Sequence, residues 1–195
     1  MIFEILDFII KYGYYYVAGL FIFFILFNIF WTKKLKLTPE LIPYRMHYKN
    51  VRAVLSEADW RNLAKTIYKE SNYKCDICGA RERLECHEVW QFNDRKSVQA
   101  LVGLTTLCSD CHRVKHIGLA RKMGYFEDAL EHMCKVNQIS RRYAKKVIDW
   151  NEKEVSKRNK DYNLDLRFLN KYRNILPRQY SSNEIDNCKV INDNY

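Results

Sequence analysis

Residues 75–116 read CDICGARERLECHEVWQFNDRKSVQALVGLTTLCSDCHRVKH. Two CxxC pairs, Cys75/Cys78 and Cys108/Cys111, bracket 29 intervening residues. A CxxC turn delivers two thiolates at a spacing that one tetrahedral ion accepts, so the two pairs read as one structural four-cysteine zinc site. The competing reading is four unrelated core cysteines, because a free Cys packs as a small hydrophobe. Paired CxxC spacing favours the metal. The chain has seven cysteines. An odd total with four residues in knuckles fits reduced thiols and a metal better than a disulfide scaffold.

Three histidines lie inside or just beyond this clamp: His87 in LECHEVW, and His112 and His116 in CHRVKH. An i, i+4 pair on a helix points both imidazoles to one face, which suits two ligands on one ion. Taken alone, His112 and His116 would read as solvated residues of a basic helix. The third histidine within the same unit shifts the balance towards a site.

With these residues in view, the stretch resembles the HNH endonucleases, the ββα-metal nucleases. The matching pattern is a CxxC knuckle, a strand ending near His87, a loop, and LCSDCHRVKH opening a helix. The resemblance covers 73–119. It implies that His87 is the general base, deprotonating the water that attacks a DNA phosphodiester. It also implies that His112 is a ligand of the catalytic ion, with His116 as the further ligand of the colicin-type branch. Cys86 stands where the family places a His or Asp ligand. Gly103 stands where the central Asn falls. A thiolate at Cys86 suits zinc and is a poor magnesium ligand. The catalytic ion implied is zinc, magnesium, manganese or nickel.

Outward from this core, 55–71 reads as a helix capped by Ser56, with Trp60, Leu63, Ile67 and Tyr68 at helical spacing. Residues 83–90 and 98–107 read as two strands around a polar turn at 93–97. Residues 108–120 start the helix carrying His112 and His116. Residues 124–157 read as two helices broken near Asn137, with Ser140 as the second cap. A helical hairpin covering the core is preferred there to a DNA-reading helix-turn-helix. Leu164, Leu166 and Leu169 mark a docking segment.

Residues 12–31, YGYYYVAGLFIFFILFNIFW, carry no charge. About 20 apolar residues span a bilayer as a helix, and Tyr14, Tyr15, Tyr16 and Trp31 fit the interfacial belts. Lys33, Lys34 and Lys36 follow, which by the positive-inside rule places the C-terminal part in the cytoplasm. The acidic N-terminus argues against a cleaved signal peptide. The expected organisation is a membrane anchor over 1–36, a linker over 37–54 and a zinc-binding domain with its preceding helix over 55–122. A helical part over 123–176 and a flexible tail over 177–195 complete it. The fold class expected is α+β: one transmembrane helix, then a zinc-stapled ββα core flanked by helices.

The formal charge is +10. Glu4, Asp7 and Lys11 give residues 1–32 a charge of −1, leaving +11 for the rest. Arg81, Arg83, Arg95, Lys96, Arg113, Lys115, Arg121 and Lys122 crowd the stretch that holds the histidines. Such charge suits a phosphate backbone, while the lysines at 33–36 suit anionic lipid. The partners expected are double-stranded DNA and a lipid bilayer. The function expected is metal-dependent hydrolysis of DNA by a single-pass membrane protein. The alternatives are a catalytically inactive, zinc-stabilised nucleic-acid-binding module and a structural protein whose zinc unit binds another protein.

Overall fold

The strand-forming run LECHEVWQFN and the run VQALVGLTTLC meet across a short polar turn and pair antiparallel. They form β1 (Leu84–Asn93) and β2 (Val98–Cys108). Asn93 closes the turn by accepting the Lys96 N–H through its side chain at 3.0 Å. His87 faces Thr105 across the ladder and Val89 faces Gly103. A bulge between Val89 and Trp90 then shifts the register. The computed structural model describes residues 12, 13, 15, 17–23, 34–158 and 160–184. The chain divides into two compact units, Met1–Leu35 and Lys36–Tyr195.

Before the hairpin lie α1 (Val51–Val54) and α2 (Glu57–Glu70); after it come α3 (Ser109–Lys115), α4 (Ile117–Lys122), α5 (Phe126–Asn137) and α6 (Arg141–Ser156). A short β3 (Asn163–Asp165) adds to β2 in parallel, giving a three-stranded sheet in an α+β domain. The expected caps form. Ser56 Oγ accepts from the Asp59 N–H at 3.1 Å, and Ser140 Oγ from the Tyr143 N–H at 3.3 Å. Between α5 and α6 the chain turns through Gln138 in the left-handed region. The sheet packs Trp90 and Leu101 against Leu63 and Ile67 of α2 and against Leu164 and Leu169. This apolar layer fixes the hairpin, and the hairpin in turn fixes His87.

Two expectations change. The spanning helix over 12–31 is not found, because no helix among the described residues is long and apolar enough to cross a membrane. The described helical residues there run between 12 and 23. The single-pass topology and the cytoplasmic placement derived from it are withdrawn with the helix. Residues 14, 16 and 24–33 of that region lie outside the described residues.

The segment 37–54, expected as a linker, belongs to the second unit, with Leu37, Met46, Val51 and Ala53 buried. Asn137 holds its start: Asn137 Oδ1 accepts the Lys36 and Leu37 N–H groups at 2.8 and 3.1 Å, and Nδ2 donates to Leu37 O at 2.6 Å. The tail packs as far as Glu184, where a buried carboxylate meets Arg178 at 2.7 Å. Residues 185–195, with Cys188, lie outside the described residues.

Candidate metal centres

The first knuckle turns through Gly79, whose φ of +79° is a conformation that side chains rarely adopt. The Gly79 N–H donates to Cys75 O at 2.9 Å, and the Cys75 N–H to Ala80 O at 2.7 Å. Asp76 ties the knuckle to β2, accepting from Thr105 Oγ1 and the Thr106 N–H at 2.7 and 2.8 Å. The second knuckle is the corner where β2 becomes α3, with Cys108 as the helix N-cap. The ligand atoms of Cys75, Cys78, Cys108 and Cys111 all lie within 4.8 Å of one another, so the four can hold a metal ion. Cys75, Cys108 and Cys111 are buried and Cys78 is exposed.

The hydrogen bond from Cys111 brings the Cys75 thiol down to about 4, and the same contact pushes Cys111 up. Burial pushes Cys108 up to about 11. One thiolate therefore forms readily, while Cys108 and Cys111 need a cation to replace their protons. His132 of α5 reaches the cluster from outside, with Nε2 3.1 Å from Cys111 Sγ.

The second cluster is His87, His112 and His116, whose ligand atoms also all lie within 4.8 Å of one another. Their ring centroids are 5.3, 5.0 and 4.5 Å apart for the 87–112, 87–116 and 112–116 pairs. The expected single helix over 108–120 breaks at His116, which lies between α3 and α4 with φ −101° and ψ 46°. Its N–H still bonds His112 O at 3.0 Å, so the i, i+4 relation of the two rings survives the break.

Carboxylates back two of these rings. Glu85 Oε2 lies 2.9 Å from His112 Nδ1. Glu40 Oε2 lies 3.2 Å from His87 Nε2. A histidine held on one nitrogen by a carboxylate has its other nitrogen oriented for an ion or a proton. Burial lowers the pKa of His116 to about 3, helped by the charges His112 and His87 would carry. Burial also lowers His87, against the opposing pull of Glu40. Both rings are thus neutral near pH 7 and carry the lone pair that a ligand or base requires.

Cys86 does not join them. Consecutive strand residues point to opposite faces, and Cys86 packs against the apolar core. Burial pushes its thiol up to about 12, so it remains a neutral core residue. The basic residues are dispersed. Arg95 and Lys96 sit on the hairpin turn, roughly 20 Å from His87 at ~3.3 Å per residue of strand. Lys115 is bound to Glu40 at 3.3 Å. Arg121 meets Glu152 at 2.5 Å and stacks over Phe126. Arg113 pairs with Asp110 at 3.1 Å and lies over Tyr125. Lys122, Arg81 and Arg83 are exposed.

Sequence reasoning missed Glu40, Glu85 and His132, which act from outside the clusters. For Glu85 a signal existed, since it is two residues before His87 on the same strand. Nothing local marks Glu40 or His132. No protein-family model matches the chain, and no curated protein or solved structure matches it.

Proposed function

We propose that the chain is a metal-dependent nuclease of the HNH type, hydrolysing DNA phosphodiesters at the three-histidine cluster. The supporting observation is the convergence of His87 from β1 with His112 and His116 from α3 and its end. The four-cysteine cluster binds zinc and holds the hairpin to the helix. His112 and His116 hold the second ion from the helical side. A divalent ion held by these residues would supply positive charge to the phosphate. His87, neutral and buried, accepts the proton of the attacking water. Cys86 is left out of the ligand set.

The proximity of all three ring nitrogens favours a second role for His87, as the third ligand. The reading is tested with the full chain, plasmid DNA and zinc, magnesium, manganese or nickel supplied separately. Wild type should cut with at least one ion, and His112→Ala should not. Loss of cutting in His87→Ala with the second ion retained makes His87 the base. Loss of both makes it a ligand. Binding without cutting for every ion instead supports the inactive module, for which Gly103 in the place of the central Asn is the specific support.

A further inference from the structure

Glu40 lies in the segment expected to link domains, 47 positions from His87, yet it makes four contacts at the histidine cluster. Its N–H donates to Lys115 O at 2.9 Å. Oε2 lies 3.2 Å from His87 Nε2 and 3.3 Å from Lys115 Nζ. Oε1 accepts the Trp90 N–H at 3.0 Å, just after the bulge of β1. The carboxylate is thus held by Lys115 Nζ and the Trp90 N–H, and its third partner is the His87 ring. A buried carboxylate with a fixed charge partner and a fixed backbone donor has little freedom, so the ring that bonds it is fixed in turn.

We infer that Glu40 is the positioning residue of His87: the segment 36–43 is part of the site and dictates which ring nitrogen bears the proton. Accepting the Nε2–H fixes that tautomer and leaves the lone pair on Nδ1. This serves His87 equally as base or as ligand, since either task needs one nitrogen bare and oriented. Asn137 is the remote anchor of the arrangement. Its side chain grips the backbone at Lys36 and Leu37, three to four residues before Glu40, and it is itself 3% exposed. Helix α5 therefore reaches the cluster through this segment. The inference rests on the three-histidine site being functional but does not require the reaction to be nucleolytic.

The test reads the His87 tautomer directly, by long-range nitrogen–proton NMR correlations in the zinc-loaded full chain, with His87→Ala identifying the signal. Wild type should show Nε2–H. Glu40→Ala should populate the Nδ1–H form. Glu40→Gln keeps size but offers one carbonyl oxygen where His87 and Trp90 each need one, so it too should loosen the tautomer. Asn137→Ala should shift it in the same direction by less. Affinity for a second ion, measured with Co(II), should fall about 10- to 100-fold in Glu40→Ala while the cysteine-bound zinc stays. An Nδ1–H tautomer in wild type overturns the inference. So does an Nε2–H population unchanged in folded Glu40→Gln. A wild type that shows the tautomer but cuts no DNA counts against the nuclease alone.

Discussion

The two clusters share helix α3, with Cys111 and His112 adjacent on it, but they are assembled over different distances. Each half of the cysteine cluster is a four-residue turn, and each turn brings its own two sulfurs together. Only the closing of one turn on the other is left to tertiary structure, and the hairpin supplies it. The histidine cluster has one local pair, a third member from the neighbouring strand and a carboxylate from residue 40. An ion entering the cysteine site would therefore have to displace the protons of Cys108 and Cys111. The histidine site depends on surrounding protein to hold its rings in place. A metal removed from the first should cost folding. A metal removed from the second should cost chemistry.

The largest effect that could break this contrast is Cys108→Ser. Structural zinc in small domains contributes about 10–16 kcal/mol of apparent binding energy at pH 7. The variant should lose tightly bound zinc and its cooperative thermal transition, as read by metal analysis and circular dichroism. A folded, zinc-free variant with a wild-type melt would show that both sites serve chemistry alone.

Next in size is His112→Ala. It should lose the second ion and at least 100-fold in cutting, with the melt nearly unchanged, because breaking one half-exposed pair with Glu85 costs about 0–1 kcal/mol. Unfolding of this variant would erase the distinction between the two clusters.

Proton release sharpens the comparison further. A ligand group whose pKa lies above the working pH must lose a proton to bind, so affinity rises with pH; one whose pKa lies below it gives a flat response. At pH 7.5 Cys108, pushed up by burial to about 11, and Cys111, pushed up by its bond to Cys75, are both protonated. His116, near 3, and His87, lowered by burial, are both bare. Calorimetry in buffers of different ionisation enthalpy should find protons released on filling the cysteine site. Those two histidines should release none on filling theirs. Equal release at the two sites would refute the assignment of protonation states.

The smallest effect is at Gly103, on the strand that runs into Cys108. A Cβ there would meet Val89 Cβ and Cγ2 at 3.6 and 3.7 Å, ordinary contact distances. Gly103→Asn should change unfolding free energy by no more than about 1 kcal/mol in urea. If an absent side chain limits the rate, the variant should also cut faster than wild type. An unfolded variant would show that the strand has no room there.

The hairpin, the cysteine knuckles and the helix caps were legible in the sequence because each depends on residues within a few positions of one another. The strand alternation that puts Cys86 and His87 on opposite faces was equally legible, and Cys86 packs against the apolar core. The apolar run at 12–31 shows the limit of composition: its lack of charge met the requirement for a span, but no helix among the described residues is long and apolar enough to cross a membrane. Segment 37–54 looked like a linker because its prolines exclude a long helix. Prolines do not prevent an extended chain from docking, and Leu37 and Glu40 have no local periodicity to announce that they do. What the sequence determined was which side chains could hold metal and which short turns would group them. Tertiary structure decided that Glu40 stands behind His87, because Glu40, His87 and Lys115 meet only after the first segment has folded over the hairpin and helix.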